Sequence, residues 1–220
     1  MLTEDILKYF PGDYKGIVIE IGAGFPKMGN PVYGLRAKGW QIISIEPNPA
    51  FCDEYEALGY AILRYACYSR DAGYMEFVIT PNGLSASSLL VKDRNNVVKA
   101  DLNNEFNEDT AKGNGLSDDF DWQFFPKNGN TRIIKVEALT LGTILKIHHP
   151  EIKNVDVIVI DVEGFELEVF KGIRFDKLKP KLLIAENIPS DTEHYNYMMK
   201  QGYEVDRRID INDFYVRIKK

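Results

Sequence analysis

The sequence predicts an α/β fold: a Rossmann-like sheet of seven strands, mostly parallel, with a terminal antiparallel hairpin and an inserted antiparallel pair. Three observations carry this expectation. Apolar runs of strand length alternate with segments of helical spacing, as in a parallel sheet flanked by helices. The run "GIVIEI" abuts a glycine turn, Gly22-Ala23-Gly24, at the place where a strand hands over to a helix. The final runs "YEVDRR" and "DFYVRIK" are joined only by "IDIND", which leaves room for a turn and none for a crossover helix.

In chain order, the first strand is "GIVIEI", followed by a helix across "NPVYGLRAKG" and a second strand "QIISIE". A helix from Pro49 to Leu58 is introduced by "PNP", and "AILRYA" is the third strand. Then "GYMEFVIT" alternates like a half-exposed strand, and "TRIIKVEAL" supplies its antiparallel partner. The α/β rhythm resumes with a helix over "LTLGTILKIH", capped by Thr140, and a fourth parallel strand "VDVIVI". A helix from "FELEVFKGI", a fifth strand "KLLIAEN" and a helix "DTEHYNYMMKQ", ended by Gly202, precede the hairpin. At 220 residues, positions 1–220 read as one domain with an acidic insertion around 93–130.

Composition narrows the function classes. The chain is 45% hydrophobic, which suits a globular core, and no apolar run is long enough for a membrane span. The N-terminus "MLTEDILKYF" carries acids where a secretory signal has a basic segment, so a cytoplasmic setting is expected, with Cys52 and Cys67 as reduced thiols. The net charge of −6 resides in residues 101–121, which hold seven acids and one lysine. Nucleic-acid binding needs clustered Lys and Arg, so a phosphate-backbone partner is not expected; nor is a membrane partner. The acidic stretch reads either as a solvated surface insertion or as a lid over a substrate.

A glycine turn at a strand tip lets a ligand approach the backbone. Dinucleotide binders use G-x-G-x-x-G and direct a pyrophosphate at backbone N–H groups. Here Gly22 and Gly24 are followed by Phe25, Pro26 and Lys27, so the third glycine is missing. Glu20 would repel a pyrophosphate and attract the cationic amino group of S-adenosylmethionine. Glu46, in "ISIEPNP" 22 residues after Gly24, offers a carboxylate to ribose hydroxyls and suits S-adenosylmethionine and NAD alike. Glu20, Gly22, Ala23, Gly24, Glu46, Pro47 and Asn48 are therefore the candidate cofactor residues of the first two strand tips.

The stretches "IEIGAG", "IEPNP", "SASSLL", "VEALTLGTIL", "VDVIVIDVEGFELEVFKG", "KPKLLIAENI" and "QGYEV" together resemble the FkbM-type methyltransferases, from about Gly16 to Val216. The pattern D-x-E-G-x-E-x-x-x-x-x-G is the most specific of them. The glycine loop "FPKMGNPVY" departs from the family by being enlarged. The resemblance implies a class I methyltransferase sheet, S-adenosylmethionine as cofactor, and O-methylation of a small-molecule or saccharide acceptor. It also implies that Ala66 and Cys67 lie beside the adenine, read there through backbone groups because no acid follows the third strand.

Methyl transfer from a sulfonium is an in-line displacement aided by removal of the hydroxyl proton. Asp161 and Glu163 after the fourth strand, and Glu186 at the end of the fifth, are the candidate catalytic carboxylates, with Asp161 also near the cofactor. Converging carboxylates raise at least one pKa or need a cation. Asp161, Glu186 and Asn187 form an all-oxygen set that Mg²⁺ could accept, against a reading in which they bind only cofactor, substrate and backbone. Glu166 and Glu168 read as acids complementing a helix dipole. His148 and His149 read as helix-end residues, and His194 as a helix residue facing either solvent or the cleft. Ser85, Ser87 and Ser88 offer hydroxyls to an adenine or a sugar, or serve a plain turn. Two other classes stay open: an NAD(P)-dependent sugar oxidoreductase or epimerase, and a non-catalytic cofactor-fold module. The first lacks its Y-x-x-x-K pair, since Tyr195 is followed by Met199 and Tyr197 by Gln201.

Overall fold

A computed structural model describes residues 2–27, 29–79, 88–89, 132–187 and 192–218. The acidic insertion, and Ser85 and Ser87, lie outside the described residues. Ten strands and six helices are described: α1 Thr3–Leu7, β1 Ile17–Ile21, α2 Tyr33–Ala37, β2 Gln41–Ile45, α3 Pro49–Ala57, β3 Ala66–Cys67, β4 Gly73–Ile79 and β5 Ser88–Leu89. They continue as β6 Arg132–Leu139, α4 Leu141–His148, β7 Val157–Ile160, α5 Glu166–Gly172, β8 Leu182–Glu186, α6 Thr192–Lys200, β9 Tyr203–Ile209 and β10 Asn212–Arg217.

The main sheet is mixed, in the order β2-β1-β7-β8-β10-β9. Strands β2, β1, β7 and β8 are parallel, while β10 lies antiparallel to both β8 and β9. Alternation sorts the strand residues between two cores. Ile19, Ile21, Ile158 and Ile160 face Ile144, Val169, Phe170 and Met198 of α4, α5 and α6. Val18, Val157 and Val159 face Ile6, Leu35 and Trp40 on the other side. Helices thus cover both faces, and the parallel strands are mostly apolar, with Glu20, Ser44 and Glu186 as buried polar exceptions.

The structure corrects the expected seven-stranded sheet. The main sheet has six strands among the described residues, and "AILRYA" touches it only through a parallel bridge between Leu63 and Ile45. Its end, Ala66–Cys67, pairs instead with β6, as the edge of a second sheet in the order β3-β6-β4-β5. The physical reason is exposure: Ala61 and Arg64 are solvent-facing, Arg64 reaches Asp53 and Glu56 of α3, and only Ala66 onward is buried. Within the second sheet, β4 and β6 pair antiparallel over Gly73–Ile79. The expected helix over 30–39 shrinks to the five residues of α2, because Asn30 and Pro31 are drawn into the glycine turn.

Candidate functional site

The site lies beyond the C-terminal ends of the parallel strands, where β1, β2, β7 and β8 converge. After Ile21 the chain turns through Gly22 (φ 75°) and Gly24 (φ 55°). The amides of Gly22 and Ala23 both donate to the Ile45 carbonyl at 3.0 and 3.2 Å, tying the turn to the end of β2. Asp161 donates its amide to the Ile21 carbonyl at 3.0 Å, which brings in the tip of β7. A Cβ at Gly22 would stand 1.7 Å from the Asp161 carbonyl oxygen, so glycine is required where the two tips meet. Under this turn lies a cavity of about 260 Å³, lined by Glu20, Gly22, Ala23, Gly24 and Asp161 together with Phe25, Asn30 and Phe51.

Glu20 is buried and its carboxylate accepts hydrogen bonds from Asn30 Nδ2 (2.6 Å), Ser44 Oγ (3.0 Å) and the Tyr55 hydroxyl (3.1 Å). Burial pushes its pKa up to about 7, against these three donors. Glu46 accepts from the Gly24 amide at 3.0 Å with one oxygen and from the Asn48 amide at 2.8 Å with the other. Burial pushes it too up to about 7, opposed by the two amides. Asn48 then caps α3, its Oδ1 accepting from Ala50 N at 3.1 Å ahead of Pro49. Its Nδ2 is fully buried with no partner among the described residues.

The second group of acids faces itself. Asp161, Glu163 and Glu186 each present a carboxylate oxygen within 4.8 Å of the other two. Asp161 is reached by water inside the cleft yet closely surrounded by protein, and its pKa is raised by lost solvation and by the charge of Glu166. Glu186 is raised furthest, first by burial and then by Asp161, Glu163 and Glu166. Asp161 and Glu186 share a side-chain hydrogen bond, and two carboxyl groups can do so only with a proton between them. Burial and the facing charges favour a proton on this pair. Glu163 stands at φ 55°, in the left-handed region, and is followed by Gly164 at φ 91°. Glu166 holds this turn: its Oε1 accepts from the Val162 and Gly164 amides at 3.0 and 3.1 Å. Burial raises its pKa as well.

Several sequence candidates take other places. Asn187, expected together with Asp161 and Glu186, is bound to the hairpin through its amide nitrogen and its backbone carbonyl. Its Nδ2 donates to Asp213 at 2.7 Å and its carbonyl accepts from Arg208 at 2.7 Å, tying β8 to the hairpin, while Glu163 completes the acid group. Ala66 packs in one cluster with Phe25 and Phe51, whereas Cys67 belongs to the central core. Burial pushes the thiols of Cys52 and Cys67 up, and both are free. Pro47 links Glu46 to the cap of α3 and does not line the cavity. His194 is neither solvent-facing nor in the cleft but buried edge-on against Phe170. His148 meets the Tyr65 hydroxyl at 3.0 Å, and Glu168 pairs with Lys171.

Sequence reasoning missed the partners of Glu20. Asn30, Ser44 and Tyr55 come from three separate segments, and no spacing along the chain marks them. It also read Glu166 as a dipole acid, although its place two residues after Gly164 gave a signal for a turn-holding side chain.

The family model described as "Methyltransferase FkbM domain" matches residues 20–205. Among solved structures, the chain is similar to precorrin-6Y C5,15-methyltransferase from Geobacter metallireducens GS-15. That likeness has 11% sequence identity, covers 99% of this chain and 87% of the other, and has a TM-score of 0.41. No curated protein matches the sequence significantly. Among the described residues, no helix is long and apolar enough to cross a membrane.

Proposed function

The chain belongs to the FkbM methyltransferase family, and from that premise we propose that it is an S-adenosylmethionine-dependent O-methyltransferase acting on a hydroxyl of a sugar or other small metabolite. The family implies methyl transfer, S-adenosylmethionine use and a small-molecule acceptor. One observation carries the finer reading: three carboxylates converge next to the cavity under the glycine turn, and Asp161 belongs to both.

The residues present fit the cofactor. The Gly22–Gly24 turn leaves room for the methionine tail and Glu20 suits its ammonium group, while Glu46, which does not line the cavity, stands at the β2 tip as the carboxylate we assign to the ribose side. We assign the adenine to the side of Ala66, at the end of the third strand segment, while Cys67 packs into the central core. When bound, the cofactor supplies an electrophilic methyl group on sulfur. Asp161 and Glu163 present carboxylates to accept the proton of an acceptor hydroxyl. Glu186, holding its own proton, donates to Asp161 and keeps it oriented. The turn anchored by Glu166 fixes Glu163 relative to Asp161.

The acid group needs a compensating positive charge, for which the shared proton and a Mg²⁺ ion on Asp161, Glu163 and Glu186 are alternatives. Turnover that survives exhaustive chelation assigns that role to the proton; turnover restored only by Mg²⁺ assigns it to the ion. We read residues 1–220 as one methyltransferase domain, and the two free thiols fit a reducing, cytoplasmic setting. Calorimetric titration with S-adenosylhomocysteine and with NAD tests the cofactor, and a labelled-methyl assay on a panel of sugars and small hydroxylated metabolites tests the reaction. Heat with S-adenosylhomocysteine alone and transfer to a hydroxyl are expected. Binding of NAD without response to S-adenosylhomocysteine, or transfer to nitrogen or carbon, would sink the reading.

A further inference from the structure

A second cavity opens between α4 and the C-terminal end of α5, with a volume of about 650 Å³. It shares no lining residue with the cavity under the glycine turn, and its size lies within the range of small-molecule sites. Leu141, Leu145, Ile152 and Leu178 give it an apolar floor. Five cations line it, Lys146, Lys153, Lys171, Arg174 and Lys177, and no carboxylate does among the described residues. In a chain of net charge −6 this is a local inversion of sign.

The unbalanced charge has a definite place. Lys171 pairs with Glu168 and Arg174 with Asp176. At the start of α4, Asp71 already accepts from Thr140 N and Thr143 Oγ1, both at 2.8 Å, so that helix end has its anion. Among the described residues no ion pair holds Lys146 or Lys177, though the charge of Lys177 lowers the Asp176 carboxyl, and Lys153, which donates to the Pro150 carbonyl at 2.7 Å, lowers that of Glu151. Free positive charge therefore collects toward the last turn of α4, beside the apolar floor.

We propose that this groove is a binding site for a small amphipathic anion, an organic phosphate or sulfonate. Its apolar body lies on Leu141, Leu145 and Ile152, and its charged group sits among Lys146, Lys153 and Lys177. The two parts act together. A bare inorganic anion gains nothing from the floor, and a neutral ring gains nothing from the lysines.

The probe is 1-naphthyl phosphate, titrated into the full chain by calorimetry, with inorganic phosphate and 1-naphthol as the separated halves. Saturable one-to-one binding that weakens with added salt is expected, with each half at least about tenfold weaker, since each lacks one of two contributions. Saturating S-adenosylhomocysteine should leave the titration unchanged. The double variant Lys146→Glu, Lys177→Glu should lose at least about tenfold in affinity at unchanged melting temperature. If that variant does not fold, Lys146→Gln with Lys177→Gln should show a smaller loss in the same direction. The proposal is overturned if the probe does not bind, if inorganic phosphate binds as tightly, if S-adenosylhomocysteine displaces the probe, or if folded charge variants keep full affinity. A hexaglutamate peptide that binds where naphthyl phosphate does not would assign the groove to a polypeptide and overturn it equally.

Discussion

Two sets of acids stand at the same end of one sheet and live under opposite conditions. Glu20 and Glu46 are buried and held chiefly by donors: Asn30, Ser44 and Tyr55 for one, the Gly24 and Asn48 amides for the other, with the charge of Asp161 also raising Glu46. Asp161, Glu163 and Glu186 meet each other. Burial raises the pKa of Glu20 and Glu46 and of Asp161 and Glu186, but donors pull it back in the first pair and neighbouring charges push it further in the second. An acid supplied with donors holds backbone in place. Acids facing acids store repulsion that a proton, a cation or a substrate hydroxyl relieves, which is what proton transfer requires.

Exchanging a carboxylate for its amide breaks this contrast most sharply at Asp161. Asp161→Asn removes the base and the acceptor for the Glu186 proton while keeping the shape. Its kcat is expected to fall about 100- to 10,000-fold, the usual weight of general-base catalysis, with a melting temperature at or above that of the parent. A variant with kcat within a factor of three would assign the proton to another group.

The same exchange at Glu20 is expected to act on stability. A carboxyl whose folded pKa is about 7, above its ordinary 4.5, favours folding most in its neutral form. Its contribution is fully present below pH 4.5 and is lost as the pH rises through 7, a change of about 3 kcal/mol. Glu20→Gln stays neutral throughout. Its stability relative to the parent should therefore rise between pH 5 and pH 8, measured by denaturant melts at each. A difference independent of pH would mean that Glu20 is not held near neutrality.

At Glu46 the expected effect is on ligand affinity. Glu46→Ala removes the acceptor for the Gly24 amide, loosening the glycine turn, and takes away the carboxylate offered to ribose. S-adenosylhomocysteine affinity should drop by about 1.5–3 kcal/mol, as for hydrogen bonds to a charged group. An unchanged dissociation constant would move the ribose elsewhere.

What could be read from the chain follows from how local each feature is. The strands at 17–21, 41–45, 157–160 and 182–186 stand where predominantly apolar runs place them, because a strand buried on both faces leaves that mark. The third strand is shorter than its sequence suggests: "AILRYA" is apolar at both ends, but Ala61 and Arg64 are exposed and only its last residue joins another sheet. Among site residues, Asp161, Glu163 and Glu186 were legible since strand tips of one sheet must converge. The partners of Glu20 were not, because Asn30, Ser44 and Tyr55 meet only after folding. The bond from the Asn187 amide nitrogen to Asp213 on the hairpin was hidden for the same reason.

The smallest expected effect sharpens the contrast within a single residue. Glu163 adopts φ 55°, a conformation that costs a non-glycine residue roughly 1 kcal/mol, and it adds a third charge to the acid group. Glu166 compels this conformation by gathering the amides on either side of Glu163. Glu163→Gly keeps the turn, relieves the backbone and removes one repelling charge, so the melting temperature should rise by the equivalent of about 1 kcal/mol. If Glu163 takes part in methyl transfer, kcat should fall in the same variant, and Glu163→Ala should lose rate without the gain in stability. Stabilisation with undiminished turnover would leave Asp161 as the working carboxylate and make Glu163 a purely conformational feature of the turn.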